Sequence, residues 1–189
     1  MTLTVWTVGH STRTLPEFVA VLAAYDIELV ADVRRFPGSR RLPQYLRGAL
    51  EQELPRAGLD YLSIPALGGR RRPTSKPAAS AWRHAAFQGY ADHVETEEFA
   101  GGLMELLMVA WGLRTALMCA EVLWWRCHRR MIADVLVALG AHVIHIIDGK
   151  TVQVHRLAPP ARLVRGVLTY APQRRVGGTV SMVRAAPPG

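Results

Sequence analysis

Apolar stretches alternate with amphipathic stretches from the N-terminus to Asp148. Runs rich in β-branched and apolar residues, bounded by glycine, proline or polar residues, predict five strands at residues 4–8, 29–33, 61–64, 114–119 and 142–147. Helical periodicity and helix-start signals predict helices at residues 16–24, 44–57, 82–93, 97–111 and 126–139. Strands and helices therefore alternate in the order of successive βαβ units.

This alternation predicts a three-layer αβα fold with a mainly parallel five-stranded sheet, Rossmann-like or flavodoxin-like. The chain has 189 residues, and 50% of them are hydrophobic, which is enough for one domain with a substantial core. We assign a single α/β domain to residues 1–148. Residues 149–189 contain no aspartate or glutamate and form a basic C-terminal extension, which we expect to be partly ordered or to form a short hairpin.

Candidate site residues follow four of the predicted strands. In a parallel sheet, ligands bind beyond the carboxyl ends of the strands. The residues at these ends are His10 and Ser11 after the first strand, Asp32, Arg34, Arg35, Ser39 and Arg40 after the second, Gly68, Gly69 and Arg70 after the third, and Glu121 after the fourth. Because arginines suit phosphate and glycines permit close backbone approach, we expect the loops to form one substrate-binding crevice.

Both cysteines lie in one motif, in which Cys119-Ala120-Glu121 is followed after five residues by Cys127-His128-Arg129. A helix N-terminus lowers the pKa of a thiol and offers free amides to anions, so Cys127 and His128 are predicted to supply a nucleophile or a polarising pair. Glu121 or Asp32 is predicted to act as general acid/base, while Arg129 neutralises phosphate. The alternative is structural: Cys119 fills the core, and each carboxylate only holds an arginine.

The same motif offers metal ligands. Cys119, Cys127 and His128 suit zinc or iron, but the motif has neither a CxxC pair nor a recognised knuckle spacing. The sequence therefore requires no cofactor, and a metal stays an alternative.

Trp124 and Trp125 lie between the two halves of the motif, in a predicted loop. We expect one of them to fill the edge of the core and the other to stack on a base or ring.

The positive charge of the chain favours a negatively charged partner. The formal net charge is +8, and Lys76 and Lys150 are the only lysines among 23 basic residues. A GC-rich genome accounts for an arginine bias as well as function does, but the arginine clusters at residues 34–47 and 70–72 attract phosphate-bearing partners.

Because the chain shows no signal peptide and no membrane span, we expect a soluble, cytoplasmic protein without membrane contact. The helix at residues 103–111 belongs either to the core or to a homodimer face.

Five motifs together resemble those of one family. They are residues 7–11 (TVGHS), 32–40 (DVRRFPGSR), 67–70 (LGGR), 89–92 (GYAD) and 117–121 (LMCAE) with 127–129 (CHR). Their combination and order, over residues 5–147, resemble the DUF488 family, a family of unknown function. The resemblance implies a compact bacterial or archaeal α/β domain and no established reaction. The basic extension lies outside it.

Three hypotheses about function follow. The leading hypothesis is an enzyme, a hydrolase or group transferase, that binds a phosphate-bearing small molecule, a nucleotide or a nucleic acid in the crevice. The second is a non-enzymatic nucleic-acid-binding module, in which the extension and residues 34–47 hold the phosphate backbone. The third is a redox- or metal-dependent protein that uses Cys119, Cys127 and His128, for which the two sulfurs must lie within bridging range.

Overall fold

The computed structural model describes residues 2–38, 41–76 and 80–172 of the chain. Its strands are β1 (Thr4–Gly9), β2 (Leu29–Asp32), β3 (Asp60–Ser63), β4 (Thr115–Cys119), β5 (His142–Ile146), β6 (Val152–Val154), β7 (Arg162–Val164) and β8 (Val167–Thr169). Its α-helices are α1 (Leu15–Ala23), α2 (Arg47–Arg56), α3 (Ala85–Val94), α4 (Glu97–Ala110) and α5 (Arg129–Ala138). The predicted fold class is confirmed, and the ten predicted elements are present with bounds shifted by three residues or fewer.

The start of α5 differs from the prediction in a way that affects the site. A short 3-10 turn, Trp124–Arg126, comes first, and Cys127 after it is extended, with φ −120° and ψ 152°. His128 is the N-cap residue, and the α-helix begins at Arg129 rather than at Arg126. Cys127 and His128 therefore precede the first turn of α5, with the free amides of that turn beside them.

The main sheet has six strands in the order β3-β2-β4-β1-β5-β6. β1 to β5 are parallel, as predicted, and β6 joins the edge of the sheet antiparallel to β5. β7 and β8 form a separate antiparallel hairpin. β6, β7 and β8 all come from residues after Asp148, where we expected partial order or a short hairpin but placed no individual strand.

Helices cover both faces of the sheet and create two hydrophobic clusters. On one face, α1 and α2 bury Phe18, Leu22 and Leu50 against strand residues such as Val8 and Val30. The opposite face packs against α3, α4 and α5, which bury residues such as Tyr90, Leu106 and Leu136. Each fully buried large apolar side chain contributes roughly 1.5–3 kcal/mol to folding, so these layers hold the strand ends in fixed positions.

The strand order places a crevice at the carboxyl ends of β1, β2 and β4. The connections after β1 and β2 lead to the face covered by α1 and α2, whereas the connection after β4 leads to α5 on the other face. β4 lies between β1 and β2, so neighbouring connections leave in opposite directions on both sides of it. Such a switch point opens a space for a ligand.

The described part of the C-terminal extension packs on this domain. The Tyr170 hydroxyl, just after β8, donates a hydrogen bond to Asp134 Oδ2 on α5 at 3.0 Å, and both residues are buried. The extension therefore contributes to the core beside α5. Within the described residues, none of the helices combines the length and the apolar character that crossing a membrane requires.

Candidate functional site

A cavity of about 540 Å³ lies at the carboxyl ends of the strands. The loops after β1, β2, β3 and β4 all contribute to its lining, as the sequence predicted. The predicted site residues in this lining are His10, Ser11, Arg34, Arg35, Gly69, Arg70, Cys119, Glu121 and His128. The loops also bring residues that the sequence analysis did not single out for the site, including Thr12, Phe36, Leu42 and Val122.

Cys119, Cys127 and His128 form a compact cluster at the end of β4 and the start of α5. Their ligand atoms all lie within 4.8 Å of one another. Cys127 Sγ is 3.6 Å from His128 Nδ1, and His128 Nε2 donates a hydrogen bond to the Val33 carbonyl at 2.9 Å. Cys119 and His128 line the cavity, whereas Cys127, which is 5% exposed, lies behind them. We call these three residues the thiol–imidazole cluster.

The two thiols of the cluster differ in acidity. The hydrogen bond from Cys119, together with the nearby His128 and Arg129, lowers the pKa of Cys127 well below its usual value. The same hydrogen bond and burial raise the pKa of Cys119. Cys127 is therefore the more acidic thiol of the pair.

Arg129 is fully buried next to this cluster and does not line the cavity. Its guanidinium donates to Thr7 Oγ1 at 3.2 Å and to the backbone carbonyls of Glu121 and Val122. Among the described residues it has no carboxylate within ion-pair distance. The expectation that Arg129 contacts phosphate directly is not met, because its guanidinium is buried outside the cavity lining and donates to backbone carbonyls.

Asp32 holds Arg34 and does not reach the cavity. Its carboxylate accepts hydrogen bonds from Arg34 Nε at 2.8 Å and Nη2 at 2.6 Å, and from the Tyr61 hydroxyl at 2.8 Å. Asp32 is fully buried and absent from the cavity lining. This arrangement matches the structural alternative for Asp32, in which the carboxylate fixes an arginine instead of transferring a proton.

Arg34 in turn orients His10, which lines the cavity. Arg34 Nη1 donates to His10 Nε2 at 3.2 Å, while His10 Nδ1 donates to the Ser11 carbonyl at 2.8 Å. Burial, with the charge of Arg34 acting in the same direction, lowers the pKa of His10 to about 4. His10 is therefore a neutral imidazole at neutral pH, held in one tautomer and stacked on Tyr45 with ring centroids 3.8 Å apart.

The rim of the cavity carries exposed charged residues. Arg35 and Arg70 are exposed, and neither forms an ion pair with a carboxylate of the described residues. Glu121 is also exposed, and its Oε1 accepts a hydrogen bond from the Leu123 amide at 3.1 Å. The rim therefore combines two cations suited to an anionic ligand with one carboxylate.

Two glycines allow the loop after β3 to pack closely on its neighbours. A Cβ on Gly69 would lie 2.7 Å from His128 Nδ1. A Cβ on Gly68 would lie 2.6 Å from the backbone of Arg35, so this glycine joins the loops after β2 and β3 rather than lining the cavity. Both glycines were predicted to lie beside a ligand, and of the two only Gly69 lines the cavity. Ser39 and Arg40 lie outside the described residues.

The two tryptophans of the motif do not line the cavity. Trp124 stacks on His145 with ring centroids 4.0 Å apart, and its Nε1 donates to Gln153 Oε1 on β6 at 2.8 Å. Trp125, which is 41% exposed, packs edge-on against Trp124. Trp124 thus fills the edge of the core, whereas the expected stacking of Trp125 on a substrate in the cavity is not supported by its position.

A buried chain of hydrogen bonds supports Arg129 from the side away from the cavity. Beyond Arg129 and Thr7, Thr7 Oγ1 pairs with His145 Nδ1 at 2.7 Å, His145 Nε2 with His155 Nδ1 at 2.9 Å, and His155 Nε2 with Asp134 Oδ1 at 2.9 Å. Every donor has an acceptor when both histidines are neutral. The chain therefore connects a buried cation to a buried carboxylate.

Sequence reasoning missed this chain. It gave no role to His145, Asp134 or His155. The available signal was a polar residue at a core-facing position of an apolar strand or helix, because buried polar groups need hydrogen-bond partners.

Comparison with known proteins identifies the family only. The family model described as "Domain of unknown function DUF488" matches residues 14–136, which is more than half of the chain. No curated protein and no solved structure is significantly similar to the chain. The matched region includes the thiol–imidazole cluster and three of the four loops that line the cavity, and it ends on α5. The chain therefore belongs to the DUF488 family, as its motifs suggested.

Proposed function

We propose that this protein is an enzyme that hydrolyses or transfers a group of a phosphate-bearing substrate in the cavity at the strand ends. One observation carries the proposal: a single cavity combines cationic residues at its rim, a carboxylate beside them and a thiol–imidazole cluster at its floor. Binding alone requires only the cations. The grouping of a carboxylate with sulfur and imidazole ligands favours chemistry as well.

Arg35 and Arg70 bind the substrate phosphate in this proposal. Both line the 540 Å³ cavity and also an adjoining cavity of about 480 Å³. Guanidinium groups form paired hydrogen bonds to phosphate oxygens, which fixes orientation as well as charge. Arg34 has a different role, because its charge is balanced by Asp32 at 2.6 Å. It holds His10 in the tautomer whose Nδ1–H donates to the Ser11 carbonyl.

Glu121 is the general acid/base. It is the carboxylate of the cavity lining, and it lies directly after β4, close in sequence to Cys119 on the floor. Its hydrogen bond with the Leu123 amide restricts the side chain without burying it. Proton transfer by a positioned carboxylate contributes typically ~10²–10⁴-fold to a rate.

The test is phosphate release from AMP, ADP, ATP and p-nitrophenyl phosphate by the full chain and its variants. Glu121→Gln should lower kcat by about 10²-fold or more with little change in KM, because the amide cannot transfer a proton. Arg70→Ala and Arg35→Ala should raise KM by about 10-fold, since each removes one charged contact to phosphate.

Arg56→Ala is the matched control, because Arg56 is an exposed arginine at the end of α2 whose partner is Glu53. Its kinetic constants should equal those of the original protein. Turnover that survives Glu121→Gln unchanged, or a KM that responds equally to Arg56 and Arg70, would contradict the proposal.

The nucleic-acid-binding module is the second candidate. The observation in its favour is the row of consecutive arginines, Arg70, Arg71 and Arg72, along the adjoining cavity. This module predicts binding to single-stranded oligonucleotides that falls steeply with salt and is indifferent to Glu121→Gln. An oligonucleotide titration at several salt concentrations, with both proteins, separates the two candidates.

A further inference from the structure

We propose that Cys119, Cys127 and His128 form a three-ligand site for a zinc-class divalent cation, with the fourth coordination position open to the cavity. The three residues come from two elements, β4 and the segment that leads into α5. Metal binding at this site does not depend on the proposed function, whereas the catalytic role given to the metal rests on it.

The distances in the thiol–imidazole cluster suit tetrahedral coordination. A zinc ion about 2.3 Å from sulfur and about 2.0–2.1 Å from nitrogen separates these two atoms by roughly 3.5–3.6 Å at a tetrahedral angle. Cys127 Sγ and His128 Nδ1 are 3.6 Å apart, and no two ligand atoms of the cluster are more than 4.8 Å apart. The ion therefore fits with small adjustments of side chains.

The orientation of His128 is that of a metal ligand. Its Nε2 donates to the Val33 carbonyl at 2.9 Å, so the lone pair of the neutral ring is on Nδ1, the nitrogen that faces the cysteine sulfur. Histidine ligands in metal sites usually donate the other ring N–H to a carbonyl or carboxylate in this manner. Gly69 packs close to the Nδ1 edge of the same ring, where an added Cβ would lie 2.7 Å from Nδ1, and this restricts movement of the ring.

The position of the cluster makes this an open site. Cys119 and His128 line the cavity, and Cys127 lies behind them. An ion held by all three therefore faces the cavity with its remaining position. Three protein ligands and one open position distinguish catalytic zinc sites from structural ones, which have four protein ligands. Two thiolates and one imidazole favour zinc over magnesium or calcium, because these harder ions select oxygen ligands.

Charge around the cluster favours an anion in the open position. Two thiolates balance a divalent cation, which leaves the buried Arg129 without a neighbouring negative charge. A hydroxide or a substrate phosphate on the metal supplies that charge. If the proposed function holds, an ion held by Cys119, Cys127 and His128 would supply Lewis-acid activation of water, and Glu121 would take up the proton of that water.

The test is uptake of Co²⁺ by the reduced, metal-free full chain, without any substrate. We expect one Co²⁺ per chain, with a sulfur-to-cobalt charge-transfer band and the visible bands of tetrahedral cobalt, and displacement by one equivalent of Zn²⁺. Cys119→Ser, Cys127→Ser and His128→Asn should each weaken binding by about 10-fold or more. His142→Asn is the matched control and should bind Co²⁺ normally. His142 is an exposed histidine at the N-terminal end of β5 and does not line the cavity.

Circular dichroism identifies any variant that does not fold. Zinc K-edge absorption of the loaded, unmutated protein provides a second measurement, with two sulfur neighbours expected. Failure to bind Co²⁺ at unit stoichiometry, coordination without sulfur, or isolation of the protein with Cys119 and Cys127 joined as a disulfide would overturn the inference. The proposed function would survive each of these results if turnover still depended on Glu121 and Arg70.

Discussion

Replacing Gly69 with alanine should disturb the site through one methyl group. The added Cβ would lie 2.7 Å from Nδ1, 3.1 Å from Cγ and 3.3 Å from Cε1 of His128, where ordinary contacts begin at 3.4 Å. The ring must therefore move by about 0.7 Å, or the loop after β3 must retreat by as much. The imidazole cannot move freely, because its Nε2 is bonded to Val33 at 2.9 Å and its ring centroid lies 5.2 Å from that of Tyr90.

The expected cost follows from this overlap. Forcing an additional methyl group into a packed region typically costs about 1–3 kcal/mol. For a chain of this length, 1 kcal/mol corresponds to roughly 2–4 °C in Tm, so Tm should fall by roughly 2–12 °C. Displacing the His128 ring from Cys127 should also weaken Co²⁺ binding by about 10- to 100-fold, as other disturbances of groups that orient metal ligands do.

Gly38→Ala is the control in both assays. Gly38 lines the same cavity, and a Cβ there meets nothing within 4 Å. Its Tm should stay within about 2 °C of the original value, since unstrained surface substitutions stay within about 0.5 kcal/mol. Scanning calorimetry and cobalt titration of the two variants give the comparison. If Gly69→Ala matches Gly38→Ala in both Tm and Co²⁺ affinity, the close packing of this loop on His128 is wrong.

Three further predictions concern the framework of the site. In α4, Gly101→Ala should stabilise the protein by about 0.5–1 kcal/mol. Gly102→Ala should destabilise it by about 1–3 kcal/mol, because the added Cβ would lie 2.8 Å from the Ala66 side chain. Equal urea midpoints of the two variants would contradict this packing. Because the fold lowers the pKa of His10 from 6.5 to about 4, the unfolded chain binds the additional proton, so His10 should account for about 2 kcal/mol of the stability lost between pH 7 and pH 5, in addition to the loss from the buried His145, whose pKa is also lowered. His10→Asn should flatten that slope in urea unfolding at each pH, and an unchanged slope would exclude His10 as its source. Tyr170→Phe should lower stability by about 1.5–3 kcal/mol, because Asp134 loses a buried hydrogen bond, and an unchanged Tm would show that this contact contributes nothing.

The α/β domain was predictable because its central strands are buried on both faces. β2 and β4 consist entirely of buried residues, and this gives short apolar runs in the sequence that are interrupted only by Asp32 and Thr115. β6 gave no such signal, since its three residues are all exposed at the edge of the sheet. Its pairing with β5 depends on long-range geometry and not on local pattern. For the same reason, the sequence did not show that β4 lies between β1 and β2.

The convergence of the loops was predictable, but most partners of the charged residues were not. For Asp32 an arginine partner was the structural alternative, and the structure shows that this partner is Arg34, which also contacts His10. The burial of Arg129 was likewise hidden, because the carbonyls that hold it belong to the turn after β4. His93 on α3 is 4% exposed, and its Nε2 donates a hydrogen bond to the Ala66 carbonyl at 2.7 Å, which its place in the helical pattern did not indicate. Helical periodicity reports which face is apolar and does not report which polar residue finds a buried acceptor.

Amide chemical-shift mapping shows whether the cavity at the strand ends binds a phosphate-bearing ligand. The protein, with a mass of 20.9 kDa, should be titrated with inorganic phosphate and then with AMP. Binding in the cavity predicts saturable shifts that concentrate on its loops, at Ser11, Arg35, Gly69, Arg70 and Val122. Shifts confined to residues after Asp148, or no saturable shift at the cavity with either ligand, would contradict it.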